Sequence, residues 1–157
     1  WKLPMICGIE DNAWGISVAK GTSTAVARND VRAAAYGIPG HYIEGNDPWK
    51  IYEVAGEAIA RARAGEGPTL IEIETYHLAG HFMGDAEGYR PAGEKDGLFA
   101  KDAIPAMRRR LEAEGTFTAV ELDAMEADAQ GAVDAAISFA RESADPKPED
   151  ALSAVFA

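Results

Sequence analysis

The feature that most constrains the fold is an apolar run from Leu3 to Ile9 that contains no polar alternation. A short continuous apolar run is typical of a strand covered on both faces, as in a parallel sheet. The polar stretch EDNAWGIS, Glu10 to Ser17, follows it directly. Asp, Asn and Gly favour turns, whereas ligands of doubly wound α/β sheets bind just beyond the carboxyl ends of strands. The stretch is therefore either a plain turn or a ligand site.

Helices and strands alternate along the next part of the chain. The pattern predicts a short helix from Asn29 or Asp30 to Tyr36, a strand at 41–43, a helix from Pro48 to just before Gly65, and a strand at 68–76. Asp47 is the expected N-cap of the longer helix, with Pro48 at the first helical position. This order predicts an α/β fold with parallel strands joined by right-handed crossovers.

The carboxyl-terminal part is predicted to be a loop followed by helices. Residues 77–101 lack periodicity, which is typical of a functional or disordered segment. A capping box at Thr118 and Glu121 begins a long helix whose apolar stripe, Leu122 to Ala140, is typical of core packing. We expect three parts: an α/β domain at 1–102 with the loop 77–101, helices at 103–144, and an extended tail at 145–157. Leu152, Val155 and Phe156 of this tail need a covering surface.

Charge and composition exclude several function classes. Lys and Arg number 15 against 26 Asp and Glu, and the net charge of −11 argues against a nucleic-acid partner. The apolar runs are shorter than the ~20 residues that cross a bilayer, so no membrane association is expected. The single cysteine, Cys7, offers no disulfide framework. We expect a reducing, cytoplasmic location.

Two polar segments can carry chemistry. The Asn12 side-chain oxygen and the Trp14 backbone carbonyl are ligands that suit Mg²⁺, which keeps few protein ligands. His81, between Gly80 and Phe82, can act as a general acid or base or contact a phosphate. Simpler interpretations, a plain turn and an ordinary polar loop residue, stay open on spacing alone.

Five motifs in register carry a family resemblance. They are EDNAWGIS at 10–17, AYGIPG at 35–40, EGND at 44–47, RARAGEGPTLIE at 61–72 and GHFMGDAEGYR at 80–90. Together they resemble the alpha subunit of the thiamine-diphosphate-dependent dehydrogenase component of 2-oxo-acid dehydrogenase complexes, over nearly the whole chain. The last motif is similar to the acetoin dehydrogenase branch. The resemblance implies the carboxyl half of a doubly wound, parallel-sheet thiamine-diphosphate-binding fold, followed by helices and an extended tail.

The resemblance also implies cofactors and residue roles. Asn12 and the Trp14 carbonyl match ligands of the Mg²⁺ beneath thiamine diphosphate, and Ser17 matches a position near the cofactor. His81 matches the histidine that contacts the cofactor and assists acyl transfer to lipoyl. Asp85, Tyr89 and Arg90 match residues that order the loop. Asn12 and His81 are therefore expected to face one pocket.

Several departures from the family pattern limit these implications. Asp11 stands where an Asn is common, His77 replaces an Arg, and Phe82 replaces the serine that kinases modify in mitochondrial relatives. The family's upstream G-D-G, whose Asp binds Mg²⁺, does not occur before the strand, and the glutamate that activates thiamine belongs to the beta subunit. We expect these 157 residues alone to hold the cofactor weakly and not to turn over substrate.

The implied activity is cleavage of acetoin or oxidative decarboxylation of a 2-oxo acid. The implied partners are a beta subunit in an α₂β₂ assembly and a lipoyl-bearing acyltransferase. Two alternatives stay open: a non-catalytic fragment that serves as a subunit-assembly surface, and a transketolase-like or decarboxylase-like relative.

Overall fold

The structure is a computed structural model and describes residues 1–153. In chain order the elements are strands β1 (Ile6–Asp11), β2 (Trp14–Gly15) and β3 (Val18–Ala19), helix α1 (Lys20–Ser23), a 3-10 helix (Asp30–Tyr36), strand β4 (Gly40–Ile43), helix α2 (Pro48–Arg63), strand β5 (Thr69–Glu74), helices α3 (Glu94–Phe99), α4 (Ala103–Ala113) and α5 (Ala119–Glu142), and a second 3-10 helix (Pro148–Leu152).

A three-stranded parallel sheet with the order β1-β5-β4 is the framework of the fold. Ile6 pairs with Thr69 and Asp11 with Glu74 along β1 and β5, and Gly40 pairs with Leu70 where β4 joins β5. The α/β fold with parallel strands that the sequence predicts is thus confirmed. All three strands point their carboxyl ends toward the same edge of the sheet.

The core lies between the sheet and α2. Ile43, Val54, Ala58 and Ile71 form one buried cluster, and burying such aliphatic side chains contributes about 1.5–3 kcal/mol each. The predicted N-cap of α2 is confirmed, because the Asp47 side chain accepts a hydrogen bond from the Trp49 backbone N–H at 2.9 Å. The cap fixes where α2 starts after β4.

The strand that is buried on both faces is β5 rather than β1. Residues 69–72 of β5 are all buried, whereas β1 alternates between exposed and half-buried residues, with Ile6 37% exposed. The expectation for the first apolar run was wrong in this respect because the buried core cluster forms among β4, α2 and β5 and includes no residue of β1.

The short helix before β4 is a 3-10 helix that ends at Tyr36, as predicted, and its C-cap Gly37 has a left-handed φ of 66°. Asn29 occupies the N-cap position, as expected, but its side chain makes no capping hydrogen bond. Asn29 instead donates a hydrogen bond to Glu72 at 3.0 Å, and Asp30 accepts one from Arg28 at 2.9 Å. Both side chains serve contacts with other parts of the chain.

The carboxyl-terminal helices begin as predicted. Thr118 and Glu121 form the capping box of α5, and Asp102 accepts a hydrogen bond from the Ile104 N–H at 2.9 Å at the start of α4. The core-packing expectation for the α5 stripe was wrong, because only Leu122 of this helix is buried. Two compact units, Trp1–Arg110 and Leu111–Ala157, divide the chain, and the predicted three-part division stays a prediction.

Two further segments differ from their predicted form. Residues 77–101 include the short helix α3, and the tail is not extended throughout because residues 148–152 form a 3-10 helix. Val155 and Phe156, expected to need a covering surface, lie outside the described residues. Within residues 1–153, no helix is long and apolar enough to span a membrane.

Candidate functional site

The turn after β1 is fixed by local hydrogen bonds. The Asn12 side-chain oxygen accepts the Trp14 N–H at 3.0 Å, and an Asp11 carboxylate oxygen accepts the Ala13 N–H at 3.1 Å. Ala13 and Ile16 have φ values of 66° and 57°, in a region that non-glycine residues seldom occupy. Ile16 is β-branched, and a β-branched residue with a positive φ is unusual enough to indicate a functional constraint.

This turn offers two oxygen donors of the kind that a hard cation prefers. The Asn12 amide oxygen has a second lone pair beyond its bond to the Trp14 N–H, and the Trp14 carbonyl is the second donor. No group of three His, Cys, Asp or Glu residues suited to a metal occurs in the described part of the chain. Two oxygen donors suit a hard cation such as Mg²⁺, which takes its other ligands from phosphate and water.

A charge cluster lies directly behind the turn. The Lys20 ammonium forms ion pairs with Asp11 and, at 3.2 Å, with Glu72, whose side chain is fully buried in β5. Burial raises the pKa of Asp11, but hydrogen bonds with Lys20, Glu72 and the Ala13 N–H outweigh it and leave the pKa below its ordinary value. Burial lowers the pKa of Lys20, and its two carboxylate partners more than offset this effect. Lys20 thus joins the turn after β1 to the buried strand β5 through its two carboxylate partners.

The loop 77–101 packs on the side chain of Trp14. The indole Nε1–H donates a hydrogen bond to Glu94 at 2.9 Å, the Tyr89 ring lies 5.5 Å away between centroids, and the Arg90 guanidinium lies 5.5 Å from the ring centre. Arg90 is 3% exposed and lies near Glu87 and Glu94 at 3.3 and 3.9 Å. The loop and the turn therefore form one contact network through the indole.

Asp85 connects His81 to this network. One Asp85 carboxylate oxygen accepts both the His81 backbone N–H at 2.9 Å and the Tyr89 hydroxyl at 2.7 Å, and the other accepts the Glu87 N–H at 2.8 Å. These hydrogen bonds, led by that of Tyr89, lower the pKa of Asp85. His81 itself is exposed. Its backbone is anchored to the Trp14 turn through Asp85 and Tyr89.

Asn12 lines two cavities at the carboxyl edge of the sheet, of about 330 and 280 Å³. The first is also lined by Tyr42 and Tyr76, whose pKa values are raised by burial and then by the nearby Glu74 carboxylate. Among residues 1–153, the walls of these two cavities include Asn12 but not His81. The structure brings Asn12 and Trp14 together and places Ser17 beside them as an exposed residue. A common pocket for Asn12 and His81 stays a prediction.

Sequence reasoning missed Lys20, Glu72 and Glu94. A signal existed for Glu72, because a carboxylate between Ile71 and Ile73 in a strand buried on both faces requires a partner. That partner, Lys20, is 52 residues away in the sequence, and Glu94 is 80 residues from Trp14. Nothing local indicates either pairing.

Fold and site together define the class of protein: an α/β protein in which a strained polar turn and a long loop meet beyond the carboxyl ends of parallel strands. Residues 1–149 match the model of the family described as Dehydrogenase E1 component. The chain belongs to this dehydrogenase E1 component family. The resemblance found in the motifs is thereby confirmed, and the family match favours it over the transketolase-like and decarboxylase-like alternatives.

Relatives within this family include subunits with different named substrates. The alpha subunit of acetoin:2,6-dichlorophenolindophenol oxidoreductase from Cupriavidus necator is 39% identical over 99% of this chain and 47% of its own length. The same subunit from Bacillus subtilis is 37% identical over 99% of this chain and 46% of its own length. The chloroplastic pyruvate dehydrogenase E1 component subunit alpha-3 from Oryza sativa subsp. japonica is 37% identical over 99% of this chain and 37% of its own length. The chain spans less than half the length of these relatives.

Proposed function

We propose that the chain is the cofactor-binding part of an alpha subunit in a thiamine-diphosphate-dependent dehydrogenase. The observation that carries the proposal is the contact network between the Asn12 turn, which follows β1, and the loop that follows β5. Because β1 and β5 are parallel neighbours, the turn and the loop leave the same edge of the sheet. Membership of the dehydrogenase E1 component family supports thiamine diphosphate as the cofactor.

Asn12 and Trp14 are the proposed Mg²⁺ ligands. The Asn12 amide oxygen and the Trp14 carbonyl oxygen would hold the cation against the diphosphate, and Ser17 lies in the same turn as a polar neighbour. Bound thiamine diphosphate supplies the carbon chemistry through its thiazolium ring. The protein contributes the rigid turn, because Ala13 and Ile16 are already in their left-handed conformations. Rigid donors bind a cation without an additional ordering cost.

His81 is the proposed catalytic residue of this chain. Its backbone N–H is fixed by Asp85 while its imidazole is exposed, so the ring can reach groups that arrive from solvent. An imidazole titrates near neutral pH and can donate or accept a proton. We propose that the His81 imidazole supplies the proton that is needed when the acyl group passes to the lipoyl group of a partner acyltransferase.

The proposed substrate is acetoin or a 2-oxo acid. Phe82 and the sequence Gly84-Asp85-Ala86 are similar to the acetoin branch, and relatives named for acetoin and for pyruvate are both among the similar proteins. A beta subunit in an α₂β₂ assembly completes the proposed enzyme. We place it in the cytoplasm, in keeping with its single, unpaired cysteine.

Exposed apolar side chains on α5 favour a second candidate function, a subunit-assembly surface. Met125, Val133 and Ile137 of its apolar stripe are 48%, 53% and 44% exposed. Apolar side chains grouped on one helix are typical of interaction sites. This function is compatible with the first, because the same chain can carry both surfaces.

The proposal is tested with a paramagnetic cation and a fluorine label. The three tryptophans, Trp1, Trp14 and Trp49, are labelled with 5-fluorotryptophan, and Mn²⁺ with inorganic diphosphate is titrated at millimolar concentrations while ¹⁹F spectra are recorded. Mn²⁺ accepts the same oxygen ligands as Mg²⁺. We expect the Trp14 signal to broaden before that of Trp1, which precedes β1 and lies about 20 Å from its carboxyl end.

Two substitutions at Asn12 provide the control. Asn12→Ala should abolish the selective broadening, whereas Asn12→Asp should keep it because an oxygen remains for both the Trp14 N–H and the cation. Equal broadening of Trp1 and Trp14 in the unsubstituted chain would refute the cation site. Unchanged broadening in Asn12→Ala would remove Asn12 from it.

A further inference from the structure

Lys20 binds the turn after β1 at two points. Its backbone N–H donates a hydrogen bond to the Ala13 carbonyl at 2.8 Å, and its ammonium pairs with the Asp11 carboxylate. Asp11 in turn accepts the Ala13 N–H at 3.1 Å. One residue therefore restrains both ends of the segment that carries Asn12.

The ammonium of Lys20 lies between two carboxylates. Glu72 is fully buried and accepts hydrogen bonds from Lys20 at 3.2 Å, Asn29 at 3.0 Å and the Asp30 N–H at 2.8 Å. The Asp11 side chain is 13% exposed and shares the Lys20 ammonium with Glu72. Two close carboxylates repel each other unless a cation separates them, so this arrangement depends on the Lys20 charge.

An uncompensated carboxylate at position 11 would also act on the neighbouring site. It would be a competing anionic ligand next to Asn12, and it would repel a diphosphate. Lys20 neutralises that charge without occupying the Asn12 oxygen, which is bonded to the Trp14 N–H. An amide at position 11 would need no such help, because an amide carries no charge.

We infer that Lys20 is a positioning residue that compensates for the aspartate at position 11 and holds the Asn12–Trp14 turn in its cation-binding form. Lys20 lines the same two cavities as Asn12 and acts on the turn through Asp11 and Glu72. Its relevance to a cation rests on the proposed function, whereas the pairing of Lys20 with Asp11 and its effect on the turn do not. The inference requires that the two positions be coupled: losing the lysine costs more when position 11 is an aspartate than when it is an asparagine, although Glu72 loses its cationic partner in both cases.

A double-mutant cycle tests this coupling. The variants are Asp11→Asn, Lys20→Met, which keeps the aliphatic stem, and the two combined, each labelled with 5-fluorotryptophan. We expect Lys20→Met to shift the ¹⁹F signal of Trp14 but not that of Trp1, and to raise the unfolded-to-folded ratio in urea at least tenfold. The double variant should restore the Trp14 signal and lower that ratio at least threefold relative to Lys20→Met, because only the loss of the partner of Glu72 then remains.

The control is Lys50→Met, the same change at a lysine on α2 that is 59% exposed and lies 3.7 Å from Glu53. It should alter neither the Trp14 signal nor the stability measurably. If Lys20→Met does not fold, folding of the double variant is itself the expected rescue. A double variant no better than Lys20→Met, or a Trp14 signal unchanged in Lys20→Met, would overturn the inference.

A second measurement separates this inference from the proposed function. Broadening of the Trp14 signal by Mn²⁺ with inorganic diphosphate should weaken at least threefold in Lys20→Met and recover in the double variant. The cycle in urea and the metal-free ¹⁹F spectra use no cation. Coupling without any Mn²⁺ effect in the unsubstituted chain would therefore contradict the proposed function and leave the inference standing.

Discussion

At the scale of single residues, Asp85 has the most consequential contacts in the loop. It accepts three hydrogen bonds, from the Tyr89 hydroxyl and the backbone N–H groups of His81 and Glu87. Such bonds favour the ionised carboxylate and lower its pKa. The ordered loop therefore binds a proton at Asp85 less readily than an unfolded loop does.

The pH dependence follows from that shift. Because the pKa of Asp85 is lowered, its ionised carboxylate stabilises the ordered loop at pH values above the ordinary pKa of an aspartate, about 3.9. This stabilisation is lost as the pH falls through the lower pKa that Asp85 has in the ordered loop. Tyr89→Phe removes the largest cause, so the pKa of Asp85 should rise toward the ordinary value. Carboxyl ¹³C NMR titration measures it, and Tyr52→Phe, at a tyrosine 80% exposed, is the matched control. An unchanged pKa in Tyr89→Phe would contradict this account.

At the scale of secondary structure elements, the 3-10 helix and β4 approach each other closely at Gly40. A Cβ at this position would overlap the Asp30 carbonyl oxygen and lie 2.9 Å from the Ala33 Cβ. Asp30 and Ala33 are both buried. Gly40 thus allows the 3-10 helix to pack against the start of β4, and this packing brings Asn29 and the Asp30 N–H to Glu72.

Two glycine substitutions should therefore have opposite effects. Gly40→Ala should lower the free energy of unfolding by about 1–3 kcal/mol, the usual cost of overpacking. Gly56→Ala, in the middle of α2 with no atom within 4 Å of the added Cβ, should raise it by about 0.5–1 kcal/mol because alanine favours the helix. Urea unfolding monitored by circular dichroism measures both. A Gly40→Ala variant as stable as Gly56→Ala would contradict the packing described here.

At the scale of the whole molecule, charge and chain length bound what this polypeptide can do alone. Its net charge of −11 opposes binding of a free diphosphate. The turn contributes two oxygen donors, and no cluster of three metal-binding side chains adds to them within the described residues. The chain also spans 47% of the length of its acetoin-oxidoreductase relative from Cupriavidus necator.

We accordingly expect the isolated chain to bind thiamine diphosphate with Mg²⁺ more weakly than micromolar. Isothermal titration calorimetry measures the affinity, and thiamine without its diphosphate is the control ligand. Heat of binding consistent with a micromolar dissociation constant would show that this chain supplies more of the site than two oxygen donors. The millimolar Mn²⁺ titration is designed for the weak binding expected here.

Interactions between residues close in the sequence were predictable, whereas contacts between distant residues were not. The Asp47 cap of α2, the capping box of Thr118 with Glu121 and the turn at Asn12 are all predicted correctly, because each joins groups within three residues of one another. The core-packing prediction for the apolar stripe of α5 was wrong, because helical periodicity indicates an amphipathic helix but not what covers its apolar face.

The sequence by itself determined the order of β1, the first 3-10 helix, β4, α2 and β5, the caps of α2 and α5 and the polar turn, because short-range sterics and hydrogen bonds decide them. The tertiary structure alone decided that β5 rather than β1 is the central strand, that Lys20 meets Glu72, and that the loop rests on the Trp14 indole. These pairings depend on burial and on contacts between residues far apart in the chain. A buried charge needs a partner wherever the fold can bring one, and only the packed chain determines which residue that is.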